Sequence, residues 1–321
     1  MIYKVLIAGL GQIGMGYDLE HKQDDLVLTH ARAFSAHPGF RLVGGVDSLQ
    51  QRCELFEKHY GCYSSTDLSA ALAQTRPDVV VIASPTQEHA AVLRTVLEQS
   101  KPKLVLCEKP LSYDITEARS MVADSKACGC LLYVNYMRRS EPGALEVKRR
   151  IVAGLIKAPV KGVTWYSKGL FNNGSHFFNL LEFWLGGMKD YKVIEPGRLW
   201  DGIDPEPDVQ VTFDQGTVIF LAAREECFSH HEIDLVAQNG RLRYEQGGGN
   251  IIWQAAVADP TVNGYTVLSS SGEEILSEGL RSQWHVANQV AACLAGQHAE
   301  VCSGAEALQT LESLTAIRAS L

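Results

Sequence analysis

Gly9-Leu10-Gly11-Gln12-Ile13-Gly14 stands directly behind a strand-length apolar run, residues 2–8. No other feature narrows the fold of this chain as far. The first glycine of such a pattern makes a tight turn, the second lets a pyrophosphate approach the backbone, and the third lets the next helix pack closely. The amino terminus of that helix then faces an anion. Alone the pattern is weak, and a purely structural turn is the alternative. Behind the first strand of an alternating strand–helix unit it predicts a dinucleotide site.

That alternation is present. Further strand-length apolar runs are Arg41–Val46, Asp78–Ala83, Leu104–Cys107 and Leu131–Val134. Helical patterns lie between them at 30–37, 48–60, 67–75, 88–99 and 114–128. Short continuous apolar strands separated by helices predict a parallel sheet covered on both faces, with ligands outside the carboxyl ends of its strands. After about residue 150 the pattern changes. Strand-like runs at 160–168, 192–199, 207–213, 217–224 and 231–237 follow one another, with hairpin signals at Asp214-Gln215-Gly216 and Asn239-Gly240. Residues 175–186 read as the one clear helix there, and helical stretches at 279–295 and 304–320 close the chain. The expected fold class is α/β. A doubly wound Rossmann domain over 1–120 precedes an α+β domain over 121–321 with an open, mostly antiparallel sheet.

Composition removes other classes. The chain has 321 residues, 46% hydrophobic and 21% charged, which is ordinary globular usage. No apolar run reaches the ~18–20 residues of a membrane span. The apolar start runs into glycines rather than a cleavage site, so no signal peptide is expected. A net charge of −8 without a basic block argues against nucleic acid and anionic membrane as partners. Cys128-Gly129-Cys130 is the only close cysteine pair, a poor zinc spacing. Reduced cysteines, no metal and a cytoplasmic location are therefore expected.

A dinucleotide site also needs an acid about 20 residues beyond the glycines, to accept the ribose hydroxyls. Asp47 ends the second strand but lies 33 residues past Gly14. The excess is a polar insertion, Gly16 to Thr29, carrying Asp18, Glu20, Asp24 and Asp25; it is either a lid over the pyrophosphate or a surface loop. A carboxylate at Asp47 favours NAD over NADP, although nearby Arg52 blurs the preference. Glu108-Lys109-Pro110 follows the fourth strand immediately, so Lys109 falls at the carboxyl edge of the sheet. A lysine that exchanges protons needs neighbouring positive charge or desolvation to lower its pKa, and a nicotinamide ring supplies that charge.

Four segments resemble the family of NAD(P)-dependent oxidoreductases named after glucose-fructose oxidoreductase, inositol dehydrogenase and MocA. They are Gly9 to Gly14 with Asp47, Ala83-Ser84-Pro85-Thr86-Gln87-Glu88-His89, Glu108-Lys109-Pro110, and Gly174-Ser175-His176. They occur in the family's order, and the two-domain pattern covers essentially the whole chain. The resemblance implies that Gly9, Gly11, Gln12, Ile13, Gly14 and Asp47 hold the cofactor with Ser84, Pro85, Thr86, His89, Glu108 and Lys109. It implies that Lys109 is the acid/base and reaches the substrate hydroxyl, with His176 beside it in catalysis. Asn135 and Arg138, in the segment after the fifth strand, and Asn172 are implied substrate contacts. The family usually has aspartate four residues before the histidine; Asn172 cannot take a proton, so an Asp–His relay is in doubt. Ser175 is expected to cap the helix that carries His176.

The resemblance implies an NAD-dependent dehydrogenase, with NADP possible, acting on a secondary alcohol of a sugar, nucleotide sugar or cyclitol. The substrate is expected between the nicotinamide face and the open sheet. A catalytically inactive dinucleotide-binding regulator is the alternative, motivated by Asn172; a methyltransferase is a third. An open apolar sheet face predicts a homodimer or homotetramer.

Overall fold

The computed structural model describes residues 1–21, 25–223 and 227–321. The chain forms two compact units. The first is Met1–Ser140 with Leu280–Gln309, and the second is Glu141–Gly279 with Thr310–Leu321.

The first unit alternates strand and helix. In order come β1 (Tyr3–Ala8), α1 (His30–Ala36), β2 (Phe40–Val46), α2 (Gln50–Tyr60), β3 (Tyr63–Ser65), α3 (Leu68–Thr75), β4 (Val79–Ile82), α4 (His89–Gln99), β5 (Leu104–Cys107), α5 (Ile115–Ala127) and β6 (Leu131–Val134). The sheet runs β3-β2-β1-β4-β5-β6, and every pairing in it is parallel. Its middle strands β4 and β5 are buried at every residue, as strands covered on both faces must be. Helix starts are set by local acids. Asp67 accepts from the amides of Ser69 and Ala70, and Asp114 from those of Thr116 and Glu117.

Two boundaries differ from the sequence expectation. β6 belongs to this sheet, so the first unit runs past residue 120. The segment 280–309 returns to the first unit from beyond the second, where Val286, Ala287 and Val290 join Val5, Ile7, Phe34 and Val79 in one core. Nothing local in an apolar helix announces which core it completes.

The second unit opens with α6 (Pro142–Val152), a helix the strand-dominated reading missed. Glu141 caps it, and Pro142 sits in the first turn, where a missing N–H costs nothing. Then come β7 (Val160–Tyr166), α7 (Ser175–Leu185), β8 (Met188–Glu195), β9 (Leu199–Trp200), β10 (Asp204–Pro205), β11 (Asp208–Phe213), β12 (Gly216–Ala222), β13 (Glu232–Ala237), β14 (Gly240–Glu245), β15 (Asn250–Ala258), β16 (Thr266–Leu268) and β17 (Glu273–Ile275). Both expected hairpins form, β11–β12 and β13–β14. The sheet runs β16-β15-β14-β13-β7-β12-β11-β8, with β17 beside β15. It is antiparallel except for β7–β12. Arg224, the end of one expected strand run, lies outside the described residues. One face is covered by α7, whose Phe178 meets Phe213 and Phe220, and whose Trp184 donates to the Ala144 carbonyl at 3.0 Å. The last helices are α8 (Ser282–Leu294) and α9 (Gly304–Arg318). Among the described residues no helix is long and apolar enough to cross a membrane.

Candidate active site

In the first unit, the carboxyl ends of β1, β2 and β4 open onto a cavity of about 410 Å³. Gly9, Gly11, Gln12, Ile13, Asp47, Ser84 and Pro85 line it. Gly9 holds φ +107°, and a Cβ there would overlap the backbone of Ala83 and Ser84. A Cβ on Gly14 would overlap the Gly9 carbonyl oxygen. Gly14 therefore shapes the turn without lining the cavity. Gly11 is different: the nearest atom to a Cβ there is Arg52 Nη1 at 3.9 Å. Backbone is bare on that side, as an approaching pyrophosphate requires.

Asp47 is 7% exposed at the end of β2. Its Oδ2 accepts from the Leu10 amide at 2.9 Å and its Oδ1 from the Leu49 amide at 3.0 Å. Arg52 Nη1 reaches Oδ2 at 3.2 Å. Arg52 Nη1 also reaches Oδ1, at 3.5 Å, so the carboxylate's lone-pair sites, about four, are met by two amides and one shared guanidinium N–H, and a ribose hydroxyl would take the place of Arg52 there. Ser84 Oγ is buried on the cavity wall with no hydrogen-bond partner among the described residues. The bare Gly11 and this orphaned hydroxyl fit a dinucleotide. Sequence reasoning missed Tyr17, Ser48, Leu68, Glu88 and Val92 in the lining, and noticed Arg52 only as a complication. Thr86 and His89 do not line the cavity.

The described ends of the insertion are tied to the fold. Its first turn, Gly16–Asp18, puts Tyr17 on the cavity wall. Asp18 is 1% exposed and gathers the far end of the loop, accepting from the Leu28 amide at 2.7 Å, the Thr29 amide at 3.0 Å and the Thr29 hydroxyl at 2.6 Å. Thr29 in turn caps α1. Asp24 lies outside the described residues.

His89 opens α4 and is buried, at 1% exposure. Its Nε2 is 3.0 Å from the Ser84 carbonyl oxygen, and its Nδ1 is 3.0 Å from that of Pro110 and 3.2 Å from that of Leu111. The ring thus ties the cavity wall to the Glu108-Lys109-Pro110 loop, so its part in the site is indirect. Glu108 follows β5 directly and Lys109 comes next, half-buried, with a cis peptide bond to Pro110.

Glu108 is 14% exposed and sits in a polar cluster. His30 Nε2 donates to its Oε1 at 2.8 Å, and Asn135 Nδ2 donates to the same oxygen at 2.6 Å. Asn135 Nδ2 also donates to Gln283 Oε1 at 3.2 Å. Glu108 Oε2 accepts from the Lys109 backbone amide at 3.2 Å. Burial pushes the Glu108 carboxyl up. The His30 ring, the Asn135 amide and the Lys109 charge outweigh it, so the group lies below the usual glutamate range. Burial also pushes the neighbouring Cys107 thiol well up. Asn135 is 2% exposed, and its amide N–H groups are turned to Glu108 and Gln283. Arg138 lies half-buried on the short turn Met137–Ser140. His30 and Gln283 were not singled out in the sequence. His30 looks like any first-turn helical residue, and Gln283 reaches the cluster from far along the chain.

In the second unit, residues Gly169–Gly174 form a π-helical turn that runs into α7. His176 is the second residue of α7 and is half-buried. Ser175 does not cap the helix as expected. It is the first helical residue, and its hydroxyl donates to the Asn172 carbonyl at 3.0 Å. The turn is held by two acids that the sequence did not flag. Asp204 accepts from the Phe171 amide at 3.0 Å and the Asn172 amide at 2.8 Å, while buried Glu206 accepts from the Lys168 amide at 2.9 Å. The Asn172 side chain donates to the Lys168 carbonyl at 3.1 Å, a local loop bond.

Residues 3–136 match the model of an oxidoreductase family with an NAD-binding Rossmann fold. An inositol 2-dehydrogenase of Rubrobacter xylanophilus is 35% identical over 130 residues, covering 40% of this chain and 37% of that protein. A scyllo-inositol 2-dehydrogenase (NAD(+)) of Bacillus subtilis is 33% identical over 130 residues, with the same coverage. The chain thus spans well under half the length of these curated relatives. Over 100% of this chain and 98% of the other, the fold is similar to that of UDP-N-acetylglucosamine 3-dehydrogenase GnnA from Acidithiobacillus ferrooxidans, at TM-score 0.80 and 16% identity.

Proposed function

We propose that this chain, whose residues 3–136 match the NAD-binding oxidoreductase family of glucose-fructose oxidoreductase, inositol dehydrogenase and MocA, is a dehydrogenase of a sugar, nucleotide sugar or cyclitol. The observation that carries the reading is the His89 bridge, which couples the cavity wall at Ser84 to the loop that bears Lys109. A dinucleotide held by Gly9–Gly14, Asp47 and Ser84 supplies the acceptor or donor of a hydride. Lys109 Nζ takes the substrate hydroxyl proton in the oxidative direction and returns it in reduction. His176 is the candidate second proton carrier, and Asn172, with Arg138, a candidate neutral or cationic contact for hydroxyl groups. The inositol dehydrogenase relatives support a polyol substrate, and the preference for NAD over NADP rests on Asp47.

Titration with NADH and NADPH, followed by a sugar and cyclitol screen, tests the reading. Saturable NADH binding and turnover lost in Lys109→Ala, with cofactor affinity kept, is the expected result. Normal binding with no turnover of any polyol, and no effect of Lys109→Ala, favours the inactive regulator instead.

The uncovered face of the second unit's sheet carries Trp165, 38% exposed, and Val236, 56% exposed. A second copy of this chain is the proposed cover, giving a homodimer or homotetramer. A monomeric mass by light scattering at micromolar concentration overturns that part.

A further inference from the structure

A buried histidine outside every expected role links α1 to the Lys109 loop. His30 is 1% exposed, and its Nε2 lies 2.8 Å from Glu108 Oε1. The other Glu108 oxygen accepts the Lys109 backbone amide. Through one carboxylate, His30 therefore touches both the position and the electrostatic surroundings of Lys109. We infer that His30 is a positioning residue for Lys109, holding the Glu108 carboxylate so that its negative charge stays beside the lysine. The inference rests on the reading of Lys109 as the acid/base.

The physical argument is a competition. A nearly buried carboxyl without donors reverts to its neutral form, because burial penalises charge. Here donors come from two elements. His30 arrives on α1, whose start is fixed by the Thr29 cap and the Asp18 carboxylate. Asn135 arrives just past β6 and is itself held by Gln283 on α8. The groups that face Glu108 are His30, Lys109 and Cys107, with the neutral amides of Asn135 and Gln283. The Cys107 thiol, pushed well up, carries no charge near neutrality. His30 Nδ1 has no partner among the described residues, so the ring is not retained for a second bond of its own.

Removing the His30 donor raises the Glu108 carboxyl and frees it from the hydrogen bond that fixes Oε1. Its negative charge is then no longer held beside the lysine, and Lys109 loses its proton at lower pH. A neighbouring opposite charge shifts a titration by about 1 unit or more. Competitive labelling of Lys109 with acetic anhydride across pH, read by peptide mass spectrometry, gives its midpoint whether or not a substrate is known. His30→Leu is expected to lower that midpoint by about 1 pH unit. His30→Gln keeps an N–H near the Nε2 position and is expected to restore it. Asn135→Ala is expected to move it in the same direction as His30→Leu, and decides the matter if His30→Leu does not fold. Melting curves and NADH titrations accompany each variant. A folded His30→Leu protein with an unmoved Lys109 midpoint overturns the inference, as does His30→Gln behaving like His30→Leu. Failure of the wild type to bind NADH would sink the functional reading and leave the labelling comparison intact.

Discussion

Gly11→Ala and Gly14→Ala should separate cofactor binding from folding within one turn. A methyl at Gly14 would meet the Gly9 carbonyl oxygen, and the turn that carries both cannot open without shifting Gly9 against Ala83 and Ser84. Overpacking that cannot relax costs about 3 kcal/mol. For a unit of this size that lowers the melting temperature by roughly 6–12 °C. A methyl at Gly11 meets only the end of Arg52, at 3.9 Å. Stability should then change by less than ~0.5 kcal/mol. If a pyrophosphate lies against that bare backbone, the methyl stands in its place, and a loss of about 2 kcal/mol weakens NADH roughly 30-fold. The assay is a fluorescence titration with NADH beside a melting curve for each variant. Gly11→Ala with wild-type affinity would remove the anion from Gly11. Gly14→Ala with wild-type melting would refute the close packing of the turn.

Other tests bear on single residues. Lys109→Met should reduce turnover by about 10³-fold or more while leaving the NADH Kd within ~3-fold, read by steady-state kinetics and titration. Asp47→Ala removes an acceptor and frees Arg52, so the ratio of NADH to NADPH affinity should fall by about 10-fold; an unchanged ratio assigns selectivity elsewhere. The depressed Glu108 carboxyl stabilises the fold above the ordinary glutamate pKa and loses that contribution as pH falls through its lower folded value. Glu108→Gln should therefore flatten the acid side of the stability curve, from the ordinary glutamate range downward, measured by urea titration. Asp18→Ala strips two amides and a hydroxyl of their buried acceptor and should cost roughly 2 kcal/mol in the same assay.

The sequence announces what is local and periodic. The glycine turn, the alternating apolar strands and the two hairpins each depend on residues close together in the chain, and each stands where expected. α6 escaped because its start depends on Glu141 and Pro142 just where the strand pattern takes over. Asp47 was legible on the cavity wall from its place behind a strand, and Lys109 at the carboxyl edge of the sheet likewise, whereas Glu108 came only with the family resemblance. His89 was legible as a motif but not as a buried bridge, since burial is decided by Pro110 and Leu111. The partners of Glu108 and of the Asn172 turn were hidden for a simpler reason. His30, Gln283, Asp204 and Glu206 reach their contacts from distant segments, and a lone polar residue gives no sign of what it will meet.

The return of α8 to the first core sets an order of events during synthesis. Val286, Ala287 and Val290 are translated only after the whole of the second sheet, yet they fill space beside β1 and α1. The amino-terminal unit therefore leaves the ribosome with an unfilled apolar gap and must wait, exposed to chaperones and to aggregation, until the residues of α8 have emerged. A fragment cut after Ser140 should be poorly soluble for the same reason. A permuted chain that places 280–309 directly before Met1 should close that gap early.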